Sequence, residues 1–302
     1  VSTTGERRPV HGGAIAIVIA SVLWGTTGTA ATFLPDTVSP LAVGAATMGI
    51  GGVLLFLTSP RRAIAVIRDR PVLVWLLIGA LGVFVYPLAF YAGMGMAGVA
   101  IGTVVALGSA PAFAALLELV VEHRRPERLW IVGTAIALVG MVLLVVGDAG
   151  AESVRADTGL GVLLGLLAGA AYATYTYSSV RVIARGHSSG AVMAALFGLG
   201  AVLLLPVLFA TGAPLLESTG STAVIVYLVL GPMYLAYILF GRGLRTVDSS
   251  AATTITLIEP VVATLLAVTV VGEELSISAW FGLALIVVGV APIVTARRPP
   301  VR

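Results

Sequence analysis

Ten stretches of about twenty mostly apolar residues follow one another along this 302-residue chain, parted by short polar connections. They run approximately 12–34, 39–58, 72–92, 97–120, 129–147, 158–180, 189–211, 221–241, 249–271 and 277–296. A bilayer core of about 30 Å is crossed by roughly 20 helical residues at 1.5 Å each, so every stretch predicts one transmembrane helix. Lipid offers no partner to a backbone N–H or C=O, which leaves an all-α bundle as the fold. With 59% hydrophobic and 10% charged residues there is too little polar surface to cover a soluble globule. The third and fourth stretches are parted only by the Gly-rich segment 93–98. The first, although preceded by Arg7 and Arg8, is longer than a signal-peptide core and is expected to stay in the protein.

The chain is also a duplication. Residues 39–148 lie on 188–297 at a constant offset of 149, and the matches are helix-shaping residues. Gly49, Gly51, Pro111, Gly133 and Gly140 fall on Gly198, Gly200, Pro260, Gly282 and Gly289. With the offset reduced by one, Gly13, Ala20, Trp24 and Thr26 meet Gly161, Ala168, Tyr172 and Thr174. The expected units are 1–148 and 149–302, with five spans each. An odd number makes the second unit enter the membrane from the opposite side, giving two inverted five-helix repeats that form one transport domain. The repeat supports the split at 93–98, because the corresponding place in the second half carries Arg242, Arg245 and Asp248.

All seventeen basic residues are arginine. With the N-terminus cytoplasmic, sixteen fall on that side: Arg7, Arg8, Arg61, Arg62, Arg68, Arg70, Arg124, Arg125, Arg128, Arg181, Arg185, Arg242, Arg245, Arg297, Arg298 and Arg302. Only Arg155 falls on the other side, whose loops carry Asp36, Asp148, Glu152, Asp157, Glu217, Glu273 and Glu274. This bias predicts a multi-pass protein of the cytoplasmic (inner) membrane with both termini cytoplasmic. The arginines are thus topology signals, and no nucleic-acid partner is expected. Cysteine is absent and His11, His123 and His187 are scattered over polar connections, so neither a metal site nor a cofactor is expected. An integral membrane enzyme acting on lipid-linked substrates is a remote alternative, since it would need acid-base or metal residues clustered at one interface.

Glu259 is the first candidate for a functional residue, because an ionised side chain in mid-span costs about 2.5–3.5 kcal/mol or more. It sits in Thr253-Thr254-Ile255-Thr256-Leu257-Ile258-Glu259-Pro260, where Pro260 is expected to leave the carbonyl of Thr256 free. Carboxylate, carbonyl and Thr256 hydroxyl would together cradle an ammonium group or a proton; the structural alternative is a hydrogen-bonded glutamic acid locking two helices. Pro111, the repeat partner of Pro260, is expected to interrupt its helix at the matching place, beside Ser109. Glu118 lies nearer a span end, where it is expected to reach water or an arginine. Trp24 and its repeat partner Tyr172 are mid-span; Tyr172 and Tyr175, Tyr234 and Tyr237, and Tyr86 and Phe90 are paired by helical spacing. Mid-span tyrosines suggest an aromatic-lined, partly polar cavity, with helix packing as the alternative. The glycines, among them Gly49-x-Gly51-Gly52 and Gly198-x-Gly200, suggest close helix contacts.

These residues resemble the drug/metabolite transporter superfamily, and within it the EamA-type ten-helix exporters. The resemblance rests on Leu257-Ile258-Glu259-Pro260-Val261-Val262-Ala263, Gly272-Glu273-Glu274-Leu275, Gly282 and Gly289, on the first copy's Pro111-Ala112-Phe113-Ala114, Gly133 and Gly140, and on Trp24-Gly25. Glu122-His123-Arg124-Arg125 departs from the Gly-Glu pair often seen there. The resemblance implies secondary-active export of small metabolites, amino acids or related amphipathic compounds first, through a central cavity with alternating access. Multidrug or organic-cation efflux is the alternative. The implied partners are a small-molecule substrate, membrane lipid and a proton as coupling ion, with a homo-oligomer allowed.

Overall fold

The computed structural model describes residues 11–35, 37–148, 158–272 and 274–296. Arg7, Arg8, Asp36, Glu152, Arg155, Asp157, Glu273, Arg297, Arg298 and Arg302, named above for topology, lie outside the described residues, as does the side chain of Asp148. The described residues form thirteen α-helices: α1 (His11–Ala31), α2 (Pro40–Thr58), α3 (Pro60–Arg68), α4 (Arg70–Ala97), α5 (Val99–Glu122), α6 (Arg128–Asp148), α7 (Thr158–Ala184), α8 (Ser189–Thr211), α9 (Thr219–Leu228), α10 (Ala236–Gly243), α11 (Ser249–Ile255), α12 (Ile258–Leu266) and α13 (Ile277–Thr295). Wider π turns, Val229–Leu235 and Ala267–Val271, join α9 to α10 and follow α12.

Nine of the resulting spans are long and apolar enough to cross a membrane, and a tenth, Arg128–Leu144, is shorter. The ten expected helices are therefore present, with α9 to α10 and α11 to α12 each forming one span. The segment 93–97 is helical, and the turn between α4 and α5 is the single residue Gly98 at φ 90° and ψ 150°, a conformation open to glycine and strained for other residues. The sequence reading left 59–71 as a polar connection, whereas the structure folds Pro60–Arg68 into α3. Pro60 starts it, Ala63 and Val66 are buried, and Arg61 and Arg62 stay exposed. Val74, Leu81, Val132, Val202 and Phe281 are more than half exposed, giving the apolar exterior that a lipid environment requires.

Helix packing follows the inverted repeat. α6 packs against α13 and α2 against α8, each helix on its own repeat partner, while α4 against α7 is mirrored by α1 against α10, and α5 against α7 by α1 against α12. The glycines give the symmetry atomic form. A Cβ on Gly140 would stand 2.6 Å from the carbonyl of Gly282, one on Gly282 would stand 2.5 Å from that of Gly140, and Gly133 and Gly289 face each other in the same way. Since Gly133 corresponds to Gly282 and Gly140 to Gly289, this reciprocal exchange is what a two-fold axis between antiparallel helices produces. Close backbone approach supplies packing that lipid cannot replace.

Gly140→Ala is expected to cost about 1–3 kcal/mol, because its new methyl would meet backbone that cannot turn aside. Gly190→Ala, with nothing within 4 Å of its Cβ, is the control. Thermal unfolding of the purified variants in detergent should show a lowered midpoint for the first alone.

Candidate functional site

Mid-bundle, α1, α2, α4, α7, the α9 to α10 span and α12 surround a cavity of about 660 Å³, counting the part open to its surroundings. Aromatic residues form much of its wall: Trp24, Tyr86, Phe90, Tyr91, Tyr172, Tyr175 and Tyr237. Thr27, Gly44, Thr47, Met48, Pro87, Leu228, Pro232 and Met233 complete it around the carboxylate of Glu259. The rings brace one another, with Trp24 and Tyr237 centred 5.0 Å apart, Phe197 and Tyr237 4.3 Å, Tyr86 and Tyr172 5.6 Å, and Tyr86 stacked on Phe90 at 5.6 Å.

Glu259 reaches the cavity through a real break in the ninth span. α11 ends at Ile255, Thr256 and Leu257 form a turn, and α12 starts at Ile258, so Glu259 occupies its first turn. Gly25 brings this turn to α1, since a Cβ there would stand 2.8 Å from the carbonyl of Glu259 and 2.6 Å from Val262. That close approach gives Trp24-Gly25 a physical meaning, with Gly25 seating α12 and Trp24 walling the site. Glu259 is half-buried, and its side chain has neither ion pair nor hydrogen bond among the described residues. The other described acids are either paired, as Asp69, Glu118, Glu122 and Asp248 are, or exposed, as Glu127, Glu217 and Glu274 are.

The expected cradle around Glu259 is corrected in two respects. The carbonyl of Thr256 is not free: it accepts the N–H of Glu259 at 2.9 Å, because the tight turn before α12 replaces the bond that Pro260 cannot donate. Thr256 is buried away from the cavity, its hydroxyl accepting from Tyr172 at 2.9 Å and donating to the carbonyl of Thr253 at 2.9 Å. Thr256 thus positions Tyr172. Pro111 does not interrupt α5, which runs unbroken through it; a single missing hydrogen bond is tolerated where α5 is held against α7 and α11. Ser109 lies against Gly169 of α7 and donates to the carbonyl of Ala106 at 3.3 Å, outside the cavity wall. Tyr234 is also outside the wall, its ring packed against the buried core instead. Trp24, Tyr86, Tyr172, Tyr237 and Glu259 do converge. Tyr91 and Thr47 were missed: Tyr91 has no helical-spacing partner, and its ring lies where Gly44 has no side chain, with a Cβ there 2.5 Å away.

At one end of the bundle a seal of polar contacts ties the two repeats together. Glu118 was expected to reach water or an arginine, but it is buried, 6% exposed, and its partners are serines. It accepts from the hydroxyl of Ser249 at 2.6 Å, the N–H of Ser250 at 2.8 Å and the hydroxyl of Ser250 at 2.9 Å, across the start of α11. Arg124 grips both carboxylate oxygens of Asp248, whose hydrogen bond and charge push the guanidinium pKa further above its ordinary value. Glu122 accepts from Tyr177 at 3.1 Å and Arg181 at 3.3 Å, Arg181 lies 5.6 Å over the ring of Trp75, and His187 meets Asp69 at 2.7 Å. Twenty-two residues of rise separate Asp69 from Tyr91 along α4, roughly 33 Å, so seal and cavity occupy different depths.

A sequence model of the EamA-like transporter family matches residues 11–146 and again 159–295. The chain belongs to the EamA-like transporter family. It is 36% identical over 286 residues to the uncharacterized transporter YwfM of Bacillus subtilis strain 168, covering 93% of both chains. An uncharacterized transporter of Haemophilus influenzae is 34% identical over 146 residues, 47% of this chain and 85% of that one. A solved crystal structure shares the fold at a TM-score of 0.78 and 24% identity, covering 94% of this chain and 96% of that one. This is therefore a multi-pass membrane transporter of the EamA family.

Glu118→Ala is expected to loosen the seal, since it strips three donors of their acceptor at about 1–3 kcal/mol. The chain has no cysteine, so a cysteine placed at fully buried Ser179 reports the opening. Its reaction with a water-soluble thiol reagent should be about tenfold faster with Glu118→Ala than without it.

Proposed function

We propose that this EamA-family transporter is a secondary-active exporter of small amphipathic metabolites, working by alternating access around the Glu259 cavity. The observation that carries the reading is a half-buried carboxylate without a protein partner, facing an aromatic wall at mid-bundle. A protein does not keep such a group unpaired in a membrane without a role for it, and a substrate ammonium or a proton is the partner it fits. Competition of the two for one carboxylate would couple substrate export to proton entry.

The positive-inside bias supports placing the seal at the cytoplasmic face, since Arg61, Arg62, Arg124, Arg125, Arg181, Arg185, Arg242 and Arg245 lie at its end of the bundle. The described conformation is then closed toward the cytoplasm, with the cavity approached from outside. The pseudo-two-fold relation supports the reverse state, in which the second repeat takes the arrangement of the first. Amino acids and related amines are the first substrate class. Efflux of organic cations is a second reading, favoured by the seven aromatic rings around one carboxylate, where each cation-π contact contributes about 0.5–2 kcal/mol.

Proteoliposomes carrying labelled amino acids, amines and organic cations test the function, with and without a pH gradient. Glu259→Gln should insert and fold normally yet lose gradient-driven transport, while substrate counterflow at equal pH falls at least tenfold. Gradient-driven transport by this variant at the wild-type rate would refute the coupling role.

A further inference from the structure

Between α2 and α4 the chain makes a detour that crossing a membrane does not require. Ser59 at φ −151° and ψ 58° and Asp69 at φ −77° and ψ 95° leave the helical region, so α3 is continuous with neither span and packs instead on α8 and α4. The repeat-related residues 209–217 end α8 and form the short turn Ala213–Leu216, with no arginine. Positive charge would orient the spans from a loop of any shape, whereas here it is sorted by face. Arg61, Ala65 and Arg68 stand at i, i+4 and i+7 and are exposed, while Ala63 and Val66 on the other side are buried. Arg62 and Arg70 are exposed as well. Among the described residues none of these four arginines has a hydrogen bond, ion pair or ring contact, in contrast to Arg124 and Arg181 at the same end. Asp69, the one acid between residues 59 and 71, is taken by His187.

The basic face runs directly into the apolar exterior. Ile64, three residues from Arg61 and four from Arg68, is exposed beside them. Arg70, Val74, Leu77 and Leu81 then follow one another at i, i+4, i+7 and i+11 along α4, all exposed, so an arginine heads an outward apolar stripe. Guanidinium forks suit phosphate oxygens, and an apolar stripe at a span's outer side suits acyl chains. We infer that α3 and the outer side of α4 form a binding surface for an anionic phospholipid. Arg61, Arg68 and Arg70 hold its headgroup phosphate, Arg62 adds charge, and its chains lie along Val74, Leu77 and Leu81. A zwitterionic lipid brings its own cation to the same arginines and is the weaker ligand. The bound lipid braces the seal through Asp69, which caps α3 and holds His187 of the second repeat.

The absence of cysteine makes the test direct. Val74→Cys carries a bimane fluorophore beside α3, and Phe281→Cys carries one on the exposed side of α13, which packs against α6. The full-length protein is reconstituted in phosphatidylcholine vesicles with a minor share of phosphatidylglycerol. Bromine quenchers sit on the acyl chains of the phosphatidylglycerol in one preparation and on an equal share of the phosphatidylcholine in the other. The brominated anionic lipid should quench the Val74 probe at least twofold more than the zwitterionic one, with no such preference at Phe281. Arg61→Gln with Arg68→Gln should remove the preference, whereas Arg125→Gln with Arg245→Gln, exposed arginines of the same end outside α3, should leave it in place. Should the first pair fold poorly, Ala65→Glu, which sets an opposing charge on the same exposed face, should lower the preference instead. Equal quenching by the two lipids at Val74, an equal preference at Phe281, or a preference that survives both the α3 arginine pair and Ala65→Glu would each overturn the inference. Loss of the preference with Arg125→Gln and Arg245→Gln would assign it to the general charge of this end, and its displacement by glycerol 3-phosphate would assign the arginines to a free anion; either result would also overturn it.

Discussion

Lipid cannot hydrogen-bond a backbone, and the architecture follows from that constraint. Every span must be helical to satisfy its own N–H and C=O groups, and helices in lipid associate through close packing because burial from water no longer drives them together. The glycine crossing of α6 and α13 answers this demand, letting two backbones meet where side chains would hold them apart. The crossing joins one repeat to the other through its own counterpart. Five spans per repeat then force the inversion, and the inversion places the mid-bundle site between two similar halves.

The same constraint decides which polar groups stand out. Most side-chain oxygens in the bundle are answered locally: threonines and serines donate to carbonyls a turn earlier, Glu118 caps α11 from the opposite repeat, and Asp248 is gripped by Arg124. Glu259 is the described acid that is half-buried and unanswered, and the break at Thr256 and Leu257 aims it into the aromatic cavity. Structure and charge therefore separate into two layers. One end is tied shut by ion pairs between repeats, and the cavity near the middle keeps a single negative group in reserve.

Much of this was legible in the residues. The spacing of apolar stretches located the ten spans, and the offset of 149 identified the repeat. Trp24, Tyr86, Tyr172, Tyr237 and Glu259 were legible because polar or bulky aromatic groups at mid-span are costly unless they meet a cavity or each other. The errors came where local geometry overrode helical spacing. Tyr234 packs against the core instead of the cavity, the turn before α12 reclaimed the carbonyl of Thr256, and packing kept α5 continuous through Pro111. The seal was hidden because Glu118 pairs with Ser249 and Ser250, 131 and 132 positions away, through contacts no one-dimensional pattern carries. α3 was hidden because its three arginines read as a loop although Ala63 and Val66 share one face.

Alternating access through the inverted repeat is the central claim, and two distances measured together test it most directly. Spin labels at cysteines replacing Arg125 and Arg245 span the seal, and those replacing Glu274 and Met96 occupy the repeat-related positions at the other end, each one offset of 149 away. Electron-electron double resonance on the membrane-reconstituted protein, with and without an amino acid or organic cation carried in the flux assay and across a range of pH, would follow both pairs. The account predicts opposite changes, the first pair lengthening as the second shortens. Two pairs that move together, or that stay fixed under every condition, would contradict it.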